Sequence, residues 1–252
     1  MSSYDIEEQE LQSCSAESDR YQITDEALTH GEKIFKWIML LLNFLNYITI
    51  FCIWIYITIL CFSNDIVLFT FHPFCMTTGF VGFATMGILA HNKYNILTRN
   101  RPHKSRFDFH WKMQLCAMIL LTLGFTIILV NKSLHGKSHF TSYHGIFGLL
   151  AYILMLLTFL LSFFTLKVKI LFKTITKRCL YLMHVTLAIV SYITGVIDLL
   201  LGVFSGWFEK NASTTAQVCC TLLMLTLVIN VLWIPISRRL IKPLKAKAYS
   251  YF

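Results

Sequence analysis

Charge is scarce in this sequence. Of its 252 residues, 14% are Asp, Glu, Lys or Arg and 56% are hydrophobic, and the mean hydropathy is +0.62. Soluble domains carry roughly a quarter charged residues, so this composition excludes both an ordinary soluble domain and a disordered chain. Acids are rarer still beyond residue 32, where Asp65, Asp108, Asp198 and Glu209 stand against 21 bases. Several motifs are missing. The eight cysteines form no CxxC pair and no CxxCH, which removes a zinc ribbon, a covalent haem tether and a disulfide framework. There is no GxGxxG, and strands of alternating hydrophobicity are absent, which argues against a dinucleotide fold and a β-barrel. The N-terminus lacks the basic stretch and short apolar core of a signal peptide, so the first long apolar segment is expected to start insertion.

What the sequence does have is long apolar runs. Six segments, at about 34–61, 66–91, 109–130, 143–166, 179–203 and 216–236, are each long enough to cross roughly 30 Å of hydrocarbon. A helical bundle is then the available spanning structure. The expected fold class is an all-α membrane protein with six transmembrane helices, in which spans two to five form a central four-helix bundle. Residues 1–32, with nine of the thirteen acids, read as a disordered acidic tail. Residues 33–240 form the membrane domain and 241–252 a basic tail.

The basic residues set the orientation. If both termini and the loops 92–108 and 167–178 share one side, that side holds 19 of the 22 bases, leaving Lys132, Lys137 and Lys210 opposite. The positive-inside rule makes the basic side cytoplasmic. The same rule accounts for the net charge of +9 without nucleic acid, for which no binding signature is present.

Four of the nine histidines carry the chemistry. His72, His110, His144 and His184 each lie near the start of a different span, from the second to the fifth. Successive spans run in opposite directions, so His72 pairs with His144 near the outer face and His110 with His184 near the cytoplasmic face. Ionisable groups inside a membrane are costly and normally functional. Two opposed imidazoles fill both axial positions of a haem iron and suit single-electron transfer. The expected cofactors are therefore two non-covalent haems b. On the ligand faces, small residues such as Gly148, Ala151, Ala188, Ser191, Gly195 and Gly79 would leave room for a macrocycle, or would let helices pack closely. A histidine-lined metal-ion transporter is the alternative, although zinc sites gather their ligands at one depth.

The pieces FHP at Phe71, His110-Trp111, GKSHFTSYHGIFG and YLMHVTLAIVSYITGVIDLLLG together resemble the cytochrome b561 family over roughly residues 35–240. The HxxxxHG form is most similar to the branch called b561 domain-containing protein 2. There the His directly before Gly is the ligand, which selects His144 over His139. The resemblance implies a transmembrane oxidoreductase that takes electrons from cytoplasmic ascorbate. It would pass them to monodehydroascorbate or a ferric chelate on the other side of an endomembrane vesicle, endoplasmic reticulum or plasma membrane. A homodimer is a common family arrangement. On this reading Arg106, Lys104, Lys177 and Arg178 are candidates to bind ascorbate or haem propionates on the cytoplasmic side. His139 and Lys137 are the corresponding candidates for the outer acceptor or a propionate. His91 and His103 are expected to be plain polar residues. Asp198, within the fifth span, needs a partner. It is expected to hydrogen-bond a neighbouring helix, with proton handling beside the outer haem as the other reading.

Overall fold

The computed structural model describes residues 29–63, 65–171 and 177–236, with side chains omitted at 164–171, 177, 178, 234 and 235. Residues 1–28 of the expected acidic tail lie outside these residues, as does the basic tail, while Thr29 caps the first helix and His30–Glu32 form its first turn. Every regular element among the described residues is helical.

Helix α1 (His30–Phe62) starts at a capping box: Thr29 accepts from the Glu32 amide while the Glu32 carboxylate accepts from the Thr29 amide at 2.9 Å. A short 3₁₀ turn (Leu68–Thr70) leads into α2 (Phe71–Thr77). Pro73 falls in the first turn of α2, where its missing N–H costs nothing. Without a break the chain then takes π-helical geometry over Thr78–Ala84 and returns to α-helix in α3 (Thr85–Leu89). Long helices follow: α4 (His103–Leu134), α5 (Tyr143–Leu171), α6 (Lys177–Val203) and α8 (Thr214–Pro235). The short α7 (Gly206–Asn211), capped by Ser205, links the last two and buries Phe208.

Among the described residues, five helices are long and apolar enough to cross a membrane: His30–Phe62, His103–Leu134, Tyr143–Phe163, Cys179–Val203 and Thr214–Trp233. The segment expected to be the second span is helical, but it is divided between α2, the π stretch and α3. The third expected span begins earlier than its apolar run, because the polar stretch from His103 to Asp108 is already the first part of α4.

Polarity is arranged inside out. Trp37, Leu41, Phe44, Ile48, Phe51, Ile55 and Ile59 form an exposed apolar stripe along α1, while Asn43 and Asn46 on the same helix are buried. A water-facing helix has the reverse arrangement; this one suits a lipid surround. The buried face of α1 presents Ile50, Ile53, Ile57 and Leu60 at spacings of three and four. It packs with Cys220, Met224, Leu227 and Val231 of α8 in one core. The closest helix pair along its length is α5 with α6, and α4 covers the α2–π–α3 segment.

The π stretch is tied in place. Thr85 Oγ1 donates to the Phe80 carbonyl at 3.0 Å, and Trp54 Nε1 on α1 donates to Thr78 Oγ1 at 3.0 Å. π-Bulges are rare and cluster at functional sites. This one separates His72 from the cavity described next.

Candidate functional site

Near one end of the bundle, α2 and α5 each place a histidine at their start. Ser142 Oγ accepts from the Gly145 amide at 3.2 Å, fixing the first turn of α5 and with it His144. The His72 and His144 ring centroids are 6.3 Å apart, with planes at 66°. That matches two imidazoles sharing one metal: each side contributes a bond of about 2 Å plus roughly 1 Å from nitrogen to ring centre. Their Nδ1 atoms are already engaged. His72 Nδ1 lies 2.9 Å from the Gly124 carbonyl, and His144 Nδ1 lies 3.1 Å from the Asp198 carbonyl and 2.8 Å from its carboxylate Oδ1. Such bonds fix the tautomer and leave Nε2 free to act as a ligand. Phe69 lies 6.0 Å from the His72 ring and 5.7 Å from Trp207, and the two give the site an aromatic rim.

At the other end, His110 and His184 line one cavity of about 430 Å³. His110 Nδ1 lies 2.8 Å from the Gly87 carbonyl, again leaving Nε2. His184 Nδ1 is buried and has no hydrogen-bond partner among the described residues. A mainly apolar cavity with two histidines from facing helices in its lining fits a flat apolar group held at a few polar points. Ala188 of α6 and Ala84 of the π stretch keep the cavity walls low, and Gln114 Nε2 bonds the Ala84 carbonyl at 3.1 Å.

The small residues divide by role. Ala188 lines the cavity, as the ligand-face reading expects. Three glycines do not leave space for a macrocycle. A Cβ at Gly148 would stand 3.2 Å from Asp198 Oδ1, one at Gly79 would stand 3.2 Å from the Ala117 carbonyl, and one at Gly195 would strike the Phe80 ring. These glycines admit neighbouring helices and side chains instead.

The candidate contact residues are scattered. Arg106 is partly buried and its Nε has no hydrogen-bond partner among the described residues. Lys104 is exposed. The side chains of Lys177 and Arg178 lie outside the described residues. On the other face Lys137 is exposed, and His139 meets Ser133 Oγ through Nε2 at 3.2 Å while its Nδ1 is buried and unpartnered.

Sequence reasoning undervalued two residues. His91 and His103 line the inner cavity, and the His91 ring centroid is 4.7 Å from that of His110. His91 lies in the turn just after α3, at the far end of the helical segment that carries His72 near its start, so it stands at the depth of His110. That position was the available signal. Asp198 meets a neighbouring helix at His144, through its main-chain carbonyl in a hydrogen bond and through carboxylate Oδ1 at ion-pair distance; Oδ1 itself makes no hydrogen bond among the described residues.

Comparison with known proteins supplies the remaining context. The family described as Eukaryotic cytochrome b561 matches residues 71–209. The mouse protein named Transmembrane reductase CYB561D2 is 33% identical over 167 residues, covering 65% of this chain and 74% of that protein. Its human counterpart is 31% identical over 167 residues, with the same shares. The mouse protein named Probable transmembrane reductase CYB561D1 is 28% identical over 153 residues, covering 61% and 66%.

Proposed function

Because the chain belongs to the eukaryotic cytochrome b561 family, we propose a specific route for the electrons that such a membrane reductase carries. At the family level the protein is an integral membrane, haem-b oxidoreductase of transmembrane electron transfer. Our finer reading has six spans, with the π-interrupted segment as the second, and both termini in the cytoplasm. His72 and His144 would hold an outer haem b, and His110 and His184 an inner one. Two haems held this way would supply two one-electron stations, linking cytoplasmic ascorbate to monodehydroascorbate or a ferric chelate on the far side.

The chain's own residues support this division of work. The backbone carbonyls of Gly87 and Gly124 orient His110 and His72 through Nδ1. The aromatic rim of Phe69 and Trp207 limits water at the outer pair. Arg106, with Lys104, Lys177 and Arg178, offers cations for the ascorbate anion or a propionate. His139 and Lys137 would meet the outer acceptor. Exposed apolar stripes, as on α1, leave room for lipid or a second copy in a homodimer.

The observation that carries the reading is the 6.3 Å spacing of the His72 and His144 rings. The metal-ion transporter reading lacks such support, since among the described residues no three His, Cys, Asp or Glu side chains are placed to hold one metal ion.

Protein reconstituted into vesicles with trapped ascorbate tests it. External ferric chelate should be reduced, and purified protein should show a b-type reduced-minus-oxidised spectrum. His110→Ala and His144→Ala should each remove one haem, and the double variant both. A protein without that spectrum, or one that keeps two haems in the double variant, refutes the assignment.

A further inference from the structure

Among the candidate ligands, His144 alone has a carboxylate at Nδ1. The backbone carbonyls of Gly124 and Gly87 engage His72 and His110, and His184 Nδ1 has no hydrogen-bond partner among the described residues. Asp198 Oδ1 lies 2.8 Å from His144 Nδ1, and the Asp198 residue is 4% exposed. Two glycines shape this contact. Gly148, one turn beyond His144, admits the carboxylate: a Cβ there would stand 3.2 and 3.3 Å from its two oxygens. Gly202, one turn beyond Asp198, admits the imidazole: a Cβ there would stand 3.3 Å from His144 Cε1. The hydrogen bond of full geometry from His144 Nδ1 goes to the Asp198 main-chain carbonyl at 3.1 Å, while the carboxylate Oδ1 sits at ion-pair distance with no hydrogen-bond partner among the described residues. The fold thus uses two close approaches to hold a carboxylate against an imidazole inside an apolar bundle, where such a charge is costly.

We propose that Asp198 is a positioning residue that sets the outer haem apart from the inner one: its carboxylate on His144 Nδ1 lowers the reduction potential of the iron that His144 would hold. The inference rests on the haem reading above. A carboxylate bonded to a ligating histidine raises the basicity of the ligand, and second-shell hydrogen bonding is a recognised lever on haem potential. Both the more basic imidazole and the nearby negative charge favour ferric over ferrous iron. Electrons reaching the outer pair therefore leave with a larger driving force, which favours acceptors that are hard to reduce, such as ferric chelates. The inner pair lacks this device: His110 Nδ1 has a backbone partner and His184 Nδ1 has none among the described residues.

Spectroelectrochemical titration of the purified holoprotein tests the idea at one fixed pH. The His110→Ala protein, carrying only the outer pair, assigns the outer wave. In Asp198→Asn the outer wave should move up, raising its ferrous-to-ferric ratio at a fixed potential about tenfold, equivalent to about 59 mV for one electron. The inner wave should stay in place, and Asp198→Glu should recover most of the wild-type value. Gly148→Ala, which displaces the carboxylate without removing it, should move the same wave in the same direction by less. An outer wave unmoved in Asp198→Asn overturns the proposal, as does an equal shift of both waves. If Asp198→Asn fails to retain the outer haem, Gly148→Ala decides: a selective upward shift supports the proposal and no shift overturns it. A wild-type protein that binds no haem defeats the functional reading itself. Two bound haems with an indifferent Asp198 defeat this inference alone.

Discussion

The ring of Phe80 stacks on that of Tyr192, with centroids 5.1 Å apart and planes within 12°. The Tyr192 hydroxyl lies 2.9 Å from Thr85 Oγ1, which in turn bonds the Phe80 carbonyl of the π stretch. Tyr192 also lines the inner cavity, so the π segment, α6 and the cavity wall meet at one buried point. Gly195 makes the stack possible, because any Cβ there would run into Phe80. Gly195→Ala should destabilise the protein by about 1–3 kcal/mol through overpacking. A thermal melt followed by size-exclusion fluorescence reads this. Phe80→Leu should recover much of the loss in the double variant, because the two residues share one space. Additive losses would show that the contact is not the cause.

Gly202 is the corresponding control on the outer site. Gly202→Ala places a methyl 3.3 Å from His144 Cε1 and must turn the ring. Haem content, measured by pyridine haemochrome against protein, should fall from about two towards about one, in keeping with the precision that a ligand constellation requires. The haem that remains should be the one lost in His110→Ala.

Asn95 locks the loop after α3 to α1. Its amide donates to Tyr47 Oη at 2.9 Å and to the Leu89 carbonyl at 2.8 Å, and its Oδ1 accepts from the Leu97 and Thr98 amides. Asn95→Ala should cost about 2–3 kcal/mol, because buried partners lose their bonds, whereas Tyr47→Phe removes one partner and should cost about 1 kcal/mol. Melting temperatures in one detergent rank the two. The reverse order would mean that the loop is held by something other than this side chain.

Arg106 offers the donor-side test. Arg106→Gln should raise the ascorbate concentration for half-maximal haem reduction by about tenfold, the worth of one charge-assisted hydrogen bond. External chelate reduction by dithionite-reduced protein should be unaffected. Stopped-flow reduction measures the first and chelate assays the second. Lys104→Ala, at an exposed position, should have a smaller effect.

Much of this was legible in the sequence because lipid imposes simple rules. Apolar length marks the long helices, and antiparallel passage assigns His72 to the end of the bundle that holds His144. The face arithmetic held less well. From His72, steps of four and seven reach Met76 and Gly79, but the π geometry that begins at Thr78 breaks the 3.6-residue register beyond it. No periodicity reveals a π turn, because its cost is met by contacts from Trp54 and Thr85 that are remote or side-chain based. Which of their two open roles the glycines take was hidden for a similar reason. Gly148, Gly79 and Gly195 are small so that something else can approach, and what approaches is set by another helix.

Sequence alone therefore determined that the chain is a helical membrane protein of this family with four imidazoles at two depths, since hydrophobic length, charge bias and motif spacing are local properties. Only the tertiary structure decided which group stands behind each imidazole. Nδ1 partners come from other helices, in one case 54 residues away, and hydrogen-bond direction depends on how helices rotate against each other. That rotation is settled by packing, which no single helix encodes.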